Sequence, residues 1–260
     1  MWKARILLAL GFALTCSAAQ AQRVGQRLVI QPPIKPIYGV QVARPDEPLL
    51  VQTARSEQNA RLLAPVRTTI RRAMSANQVD IAEGSILHGA SIDGAIFCSP
   101  LKGNVGACLE DTDNDGRFDV VYDAAMDVLY WNYLAFHTDG NVSPAVFSRP
   151  QRLASPVPYV LADPGQALTA PVEVFLWSNH RSGASGRSTK AELQVYLGTP
   201  RMRAMRANSG PFKIEPVAGG HASVLGAEID ILGFDAGGAV QYRVRQPIPP
   251  GPDQLSVAPF

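Results

Sequence analysis

The segment DTDNDGRFD at residues 111–119 concentrates the oxygen ligands that a hard cation requires. Calcium takes about six to eight oxygens, and a short loop can supply carboxylates at its first, third, fifth and ninth positions and a backbone carbonyl at its seventh. The sixth position must turn sharply, and it is Gly116. The predicted calcium ligands are therefore Asp111, Asp113, Asp115, Asp119 and the carbonyl oxygen of Arg117.

The alternative is a solvated hairpin turn, for which Asn114, Asp115 and Gly116 are well suited. Such a turn needs only one or two of these acids. Four carboxylates at about 6 Å would repel one another by about 0.7 kcal/mol per pair in water, and a divalent ion would remove that repulsion. We therefore predict a calcium ion with a structural role, since no obvious nucleophile adjoins the loop.

The residues around the loop argue against a helix-loop-helix calcium-binding motif. Position twelve would carry a bidentate glutamate in such a motif, but it is Tyr122 here, and the preceding GNVGACLE is not a helical pattern. We predict that strands flank the loop.

The segment DTDNDGRFDVVY resembles the D-x-D-x-D-G-x-x-D cation loops of FG-GAP and VCBS repeats, in which an apolar strand follows the last aspartate. The resemblance covers about a dozen of the 260 residues. It implies calcium at Asp111, Asp113, Asp115 and Asp119, and nothing about the rest of the chain. Those families repeat the unit around a propeller, whereas this loop occurs once, so a propeller is not predicted.

No residue is predicted to be catalytic. The sequence contains no H-E-x-x-H, G-x-S-x-G or phosphate-binding glycine loop, and its four histidines stand singly at positions 88, 137, 180 and 221. A concave pocket with two close carboxylates, or a histidine beside a serine, would favour an enzyme. A flat surface with only the cation loop would favour a binding module.

The N-terminus predicts export. Lys3 and Arg5 precede an apolar run and the small residues of Ala19-Gln20-Ala21, which is the layout of a signal peptide at residues 1–21. Two cysteines then remain, and Cys98 and Cys108 are predicted to form a disulfide in a periplasmic or secreted protein. Separate buried thiols or a redox pair are the alternatives.

Charge and hydropathy limit the partners. Removal of Lys3 and Arg5 leaves 22 of the 24 basic side chains against 22 acidic ones, so no basic surface for nucleic acid is expected. No transmembrane segment is predicted in the mature chain. A protein or carbohydrate ligand remains open.

Short segments broken by glycine and proline predict a mainly β protein, with β-sandwich-like regions and one or two short helices. The clearest strands are VEVFLW and AELQVYL, followed by a hairpin of AEIDILGF and AVQYRVRQ. Pro65 would open a helix with Val66, Ile70, Ala73 and Met74 on its apolar face. Residues 123–136 fit either a helix or a strand.

Four segments are predicted in the mature chain. They are a proline-rich segment with the short helix (22–76), which begins as an extended arm or as edge strands, a β region with the disulfide and the Asp-rich loop (77–150), a β-sandwich-like region (151–246) and a proline-rich tail that is not a strand (247–260). The sequence leaves open whether these make one domain or two.

The function predicted from these features is an exported, β-rich binding or structural module with a calcium loop. The alternative is a periplasmic hydrolase acting on carbohydrate or cell-wall material.

Overall fold

The computed structural model describes residues 26–33, 37, 39–71, 76–91, 93–127, 132–178, 189–198, 202–203, 212–215, 219–235 and 237–257. The predicted signal peptide at residues 1–21 lies outside the described residues. The mainly β prediction is confirmed, since the described residues form twenty strands and one 3-10 turn at Pro164–Gln166. None of the helical structure in this part of the chain is long and apolar enough to cross a membrane.

The strands in chain order are β1 (Gln26–Ile30), β2 (Gln41–Ala43), β3 (Leu50–Ser56), β4 (Asn59–Leu62), β5 (Val66–Arg71), β6 (Ala76–Ile81), β7 (Ile86–Gly89), β8 (Ile96–Cys98), β9 (Val105–Glu110), β10 (Arg117–Met126), β11 (Tyr133–Phe136), β12 (Val142–Leu161), β13 (Thr169–Ser178), β14 (Thr189–Leu197), β15 (Met202–Arg203), β16 (Phe212–Ile214), β17 (Gly220–Val224), β18 (Ala227–Phe234), β19 (Val240–Gln246) and β20 (Gly251–Val257).

Two sheets form a sandwich around one apolar core. The first has the order β15-β14-β13-β3-β1-β20, with β16 also paired to β14, and the second has the order β17-β18-β19-β2. Buried residues from both sheets share the core, among them Val172 and Val195 from the first and Ile229 and Val244 from the second. Along β19 buried and exposed residues alternate, as expected for a strand with one face on a core.

Six other strands form a sheet that closes on itself. Its order is β10-β9-β8-β7-β4-β12, and the ring is completed because β12 also pairs with β10. The length of β12 makes this possible: residues 145–158 pair with β10 and residues 159–161 pair with β4. The core of this closed sheet contains Phe97, Leu109 and Phe118.

Strand β11 connects the closed sheet to the sandwich. Tyr133 and Ala135 pack with the cysteines on the closed sheet, whereas Leu134 and Phe136, on the other face of the strand, belong to the sandwich core. Gln26 of β1 reinforces the junction. Its Nε2 donates to the Gly89 carbonyl at 2.8 Å, and its Oε1 accepts from the Leu134 N–H at 2.9 Å.

The closed sheet is inserted between two neighbouring strands of the sandwich. Arg55 of β3 lies opposite Thr169 of β13, so the intervening chain leaves the sandwich and returns to it at one place. The segments expected from the sequence do not follow these sheets. A boundary at residue 150 falls inside β12, and β1, β3 and β20 pair with strands of the segment 151–246 or with one another. Pairing between strands far apart in sequence is not encoded in local composition.

The helix predicted after Pro65 is wrong, because residues 66–71 form β5. Val66 and Ile70 are both buried, a spacing that fits one face of a strand as well as one face of a helix. The β-branched residues of VRTTI favour the strand. Ala73 and Met74 lie outside the described residues.

The proline-rich tail also differs from expectation. The tail was expected not to form a strand, but β20 pairs with β1. Proline is tolerated there because β20 is at the edge of its sheet and the pairing register shifts opposite Val29. The N-terminal segment forms strands, one of its two predicted alternatives. β2 is an edge strand of its sheet, whereas β1 pairs with strands on both sides.

Within the ambiguous segment 123–136, the described residues are strand at both ends. Residues 123–126 complete β10, and Tyr133–Phe136 is β11. The strands predicted from VEVFLW and AELQVYL are confirmed as β13 and β14, and the hairpin of AEIDILGF and AVQYRVRQ as β18 and β19.

Candidate metal centre and binding groove

The aspartate-rich segment forms the connection of a β-hairpin. β9 ends at Glu110, β10 begins at Arg117, and the two strands pair from Glu110 opposite Val120 onward. The predicted strand-flanked loop is therefore confirmed. Asn114 and Gly116 adopt positive φ angles of 59° and 83°, and this left-handed backbone turns the chain within six residues.

Three carboxylates come together in this loop. Oxygen atoms of Asp111, Asp113 and Asp115 lie within 4.8 Å of one another, so these residues could hold a metal ion. Asp111 is buried, whereas Asp113 and Asp115 are exposed. Among the described residues none of the three forms an ion pair with a cationic side chain. Their mutual repulsion, about 0.9 kcal/mol per pair in water at this separation, is thus not offset by a direct ion pair.

Three hydrogen bonds fix the side chain of Asp111. The Asp115 N–H donates to Oδ1 at 3.2 Å, and the Gly116 N–H donates to Oδ2 at 3.0 Å. The Tyr159 hydroxyl also donates to Oδ2 at 3.0 Å. These donors set the orientation of the buried carboxylate before any ion arrives, as supporting groups do for metal ligands.

Tyr159 attaches the loop to β12. Its ring stacks on Phe118 with centroids 4.1 Å apart, and its backbone N–H donates to the Gly116 carbonyl at 3.1 Å. Burial raises the pKa of Tyr159, and the bond to Asp111 raises it further. The hydroxyl therefore remains a donor throughout the physiological pH range.

Asp119 lies apart from this cluster. It accepts hydrogen bonds from Thr112, at 3.0 Å from the N–H and 2.6 Å from the hydroxyl, and is not one of the three clustered carboxylates. Burial by itself would raise the pKa of Asp119, but the hydrogen bonds from Thr112 and the charge of Arg152 lower it overall. Arg117 is the first residue of β10, directly after the loop.

The predicted disulfide is confirmed as a bonded pair next to the loop. Cys98 and Cys108 are direct partners across β8 and β9, with their sulfur atoms 1.93 Å apart. Both are fully buried. The bond ties β8 to β9 close to the point where β9 enters the aspartate loop.

A histidine and a serine meet where β11 pairs with β12. His137 Nε2 lies 2.6 Å from Ser143 Oγ, and Ser143 is buried. His88 is buried nearby, and within the described part of the chain its Nδ1 and the Tyr133 hydroxyl have no hydrogen-bond partner. Burial lowers the pKa of His88 to about 3, and His137 contributes, so His88 is neutral at physiological pH.

The molecule also has an open groove of about 780 Å³ between the β5–β6 hairpin and the closed sheet. Its volume falls within the range of about 300–1,000 Å³ that is usual for ligand sites. Apolar residues of the hairpin and of β9 line it, together with Lys102, and Asp80 is the one acidic residue in its wall. It therefore lacks the pair of close carboxylates expected of a glycosidase.

Sequence reasoning did not anticipate Tyr159, the His137–Ser143 contact or the groove. Thr112 and Asp119 share one short loop, so their pairing could have been suspected. Tyr159 comes from a strand 48 residues beyond Asp111, and no local pattern marks it.

Comparisons of the chain with protein-family models, with curated proteins and with solved structures find no match.

Proposed function

We propose that this chain is an exported binding or structural module whose hairpin loop 111–119 holds a structural calcium ion. The observation that supports calcium most directly is the cluster of Asp111, Asp113 and Asp115, which share a turn and form no ion pair with a cationic side chain among the described residues. Oxygen donors of this kind suit calcium better than transition metals, which favour imidazole or thiolate.

Each residue of the loop has a role in this proposal. Asp111, held by its three hydrogen-bond donors, is the fixed ligand, and the exposed Asp113 and Asp115 close on the ion from the solvent side. The Arg117 carbonyl would supply a backbone oxygen. Asp119 would act through a water molecule, as residues at the ninth position often do, because its carboxylate is engaged by Thr112.

Calcium binding should stabilise the folded protein. Calcium at about ten times its dissociation constant adds about 1.4 kcal/mol to the free energy of unfolding by mass action, and exported modules of this type bind at about 0.1–1 mM. We expect millimolar calcium to raise the melting temperature of metal-free protein and magnesium to do much less. Differential scanning calorimetry with calcium, magnesium and chelator measures this.

Asp113→Asn is the diagnostic variant, because it removes one ligand charge from an exposed position. We expect it to lose most of the calcium response and keep the fold. Asp80→Asn removes an exposed aspartate elsewhere and should retain the full response. The contrary result is metal-free protein that shows neither a shift in melting temperature nor heat on titration with 5 mM calcium, which is about five times the weakest expected dissociation constant. That result would mean that the loop is a solvated turn without a calcium site.

The hydrolase remains a second candidate because His137 lies beside Ser143. A general base within hydrogen-bond reach of a hydroxyl is the minimum for nucleophilic catalysis. No described carboxylate is bonded to His137, and the hydroxyl is buried. A fluorophosphonate probe that labels wild-type protein but not Ser143→Ala would favour the hydrolase, and absence of labelling would favour the binding module.

A further inference from the structure

The groove runs along the free edge of β6. It touches six successive residues, 77–82. Side chains of successive strand residues point to opposite faces, so a cavity in contact with all of them follows the edge of the strand and not one face. The backbone of β6 therefore borders the groove directly.

The backbone on this edge is unpaired. β6 belongs to a two-stranded sheet and pairs only with β5. Among the described residues, the N–H and C=O groups of β6 that point away from β5 have no hydrogen-bond partner. An unpaired strand edge is a template for another extended chain.

The rest of the groove suits the side chains of such a chain. Val79, Ile81 and Ala107 are buried apolar residues that contribute to the groove and to the core of the closed sheet. Val105 borders the groove and is 40% exposed. An extended segment beside β6 would direct alternate side chains toward this apolar surface.

The charge at the rim is positive. Lys102 is exposed and has no ion-pair partner among the described residues. Asp80, the acidic residue of the groove, has its own cationic partner, since its carboxylate lies 3.5 Å from the guanidinium of Arg67. A carboxylate on the bound chain would complement Lys102.

We propose that this groove binds an extended peptide, which adds a strand to the free edge of β6 and presents a carboxylate to Lys102. The inference rests on the proposed binding function and names its ligand class. Main-chain hydrogen bonds to β6 would provide affinity, and the apolar surface and Lys102 would provide selectivity.

A displayed library of random heptapeptides, selected against the calcium-loaded full chain, supplies the probe. Affinities of the enriched peptides are then measured by fluorescence anisotropy. We expect about tenfold weaker binding to Val105→Trp, which fills the groove, and to Lys102→Glu, which reverses the rim charge. Val51→Trp is the matched control, because Val51 is 42% exposed but lies on the sandwich, and it should bind as wild type does.

Backbone methylation tests strand pairing itself. Two peptides are made, each N-methylated at every second amide, so that together they cover both alternating sets of N–H groups. We expect one of them to bind about tenfold more weakly, because its methyl groups replace the N–H groups that face β6. The proposal is overturned if no peptide is enriched, if Val105→Trp and Lys102→Glu both bind as wild type does, or if both methylated peptides bind like the parent. If Val105→Trp does not fold, the affinity of Lys102→Glu is compared with that of wild type on its own.

The calcium response is recorded on the same samples to separate the two proposals. A calcium-induced rise in melting temperature without peptide binding overturns the peptide site alone. Peptide binding without a calcium response contradicts the calcium module and leaves the groove assignment standing.

Discussion

At the scale of single residues, the candidate metal centre depends on one buried carboxylate with imposed geometry. Asp111 has little freedom because backbone donors and Tyr159 occupy one side of its oxygens. Asp113 and Asp115 are exposed and can move toward an ion. A fixed ligand with adaptable partners suits calcium, whose coordination geometry is flexible.

Removal of the Tyr159 hydroxyl should weaken calcium binding without loss of the fold. Tyr159→Phe keeps the ring that stacks on Phe118 but leaves Asp111 less well oriented. Loss of a supporting hydrogen bond to a metal ligand typically costs about tenfold or more in affinity. Isothermal titration with calcium measures the change. Tyr242→Phe removes a comparable hydroxyl in the sandwich, bonded to Gln41, and an equal loss there would refute the role of Tyr159.

The candidate metal ligands could be predicted from the sequence, but the hydrogen-bond donors that position them could not. All predicted ligands fall within nine consecutive residues, so spacing alone suggests their convergence. The cluster of Asp111, Asp113 and Asp115 was accessible in this way. The separate position of Asp119 results from its competing bonds to Thr112, a choice that spacing does not reveal.

The stability of the protein at acid pH should depend on the carboxylate of Asp230. Burial alone would raise the pKa of Asp230, but hydrogen bonds and charges from Arg245 and His221 lower it overall. A carboxyl whose pKa is lower in the folded state stabilises the protein above its unfolded pKa of about 3.9, and this contribution is lost as the pH falls through the folded value.

Arg245→Gln should therefore destabilise the protein at pH 6, with a difference from wild type that shrinks below about pH 4. Chemical denaturation across this pH range measures it. Arg243→Gln is the control, since Arg243 is the cross-strand partner of Asp230 while the ion pair is made by Arg245. Equal effects of the two substitutions would mean that general charge, and not the specific bond, controls acid stability.

At the scale of elements, the β5–β6 hairpin shows how a local sequence pattern can predict the wrong secondary structure. An apolar spacing of four residues fits both a helix and a strand, and the proline before Val66 is typical of the first turn of a helix. Pairing with β6 and burial against the closed sheet decide in favour of the strand. β6 follows β5 as closely in sequence as β19 follows β18, so the distance to the partner strand does not explain the difference. The hairpin of β18 and β19 was predicted correctly because AVQYRVRQ alternates along a strand, whereas the buried residues of β5 fit the period of a helix as well as that of a strand.

Ile70 should be a major contributor to the stability of this hairpin. Its side chain is almost fully buried in the closed-sheet core, so Ile70→Ala should reduce the free energy of unfolding by about 2–4 kcal/mol. Thr69→Ala, at the neighbouring exposed position, should change it by less than about 0.5 kcal/mol. Urea denaturation measures both variants, and similar losses would argue against the observed burial.

At the scale of the whole molecule, the chain is a sandwich with a closed sheet inserted into it. The sandwich combines strands from both ends of the described chain, and the closed sheet interrupts it between β3 and β13. The entry and exit of the insertion are further joined by a hydrogen bond from the Ala162 N–H to the Asn59 carbonyl at 2.8 Å. This arrangement places the aspartate-rich loop in the insertion, whereas the groove extends to Leu168, which packs against the sandwich core.

The closed sheet should therefore fold when residues 57–168 are expressed alone. It has its own core and its ends are close together, as is usual for insertions that fold independently. We expect calorimetry of this fragment to show a cooperative transition that calcium raises, as in the full chain. Leu134 and Phe136 would become exposed, because they pack in the sandwich core, so the fragment should be less stable than the full chain.

The complementary deletion tests the sandwich. Because Arg55 and Thr169 are antiparallel neighbours, an Asn-Gly turn in place of residues 56–168 should join β3 and β13 as an ordinary two-residue hairpin. We expect this shortened chain to fold without any melting response to calcium. A calcium response in the shortened chain would contradict the assignment of the calcium effect to loop 111–119. An insertion fragment that stays unfolded by circular dichroism would show that the two cores form one cooperative unit, held together through β11 and Gln26.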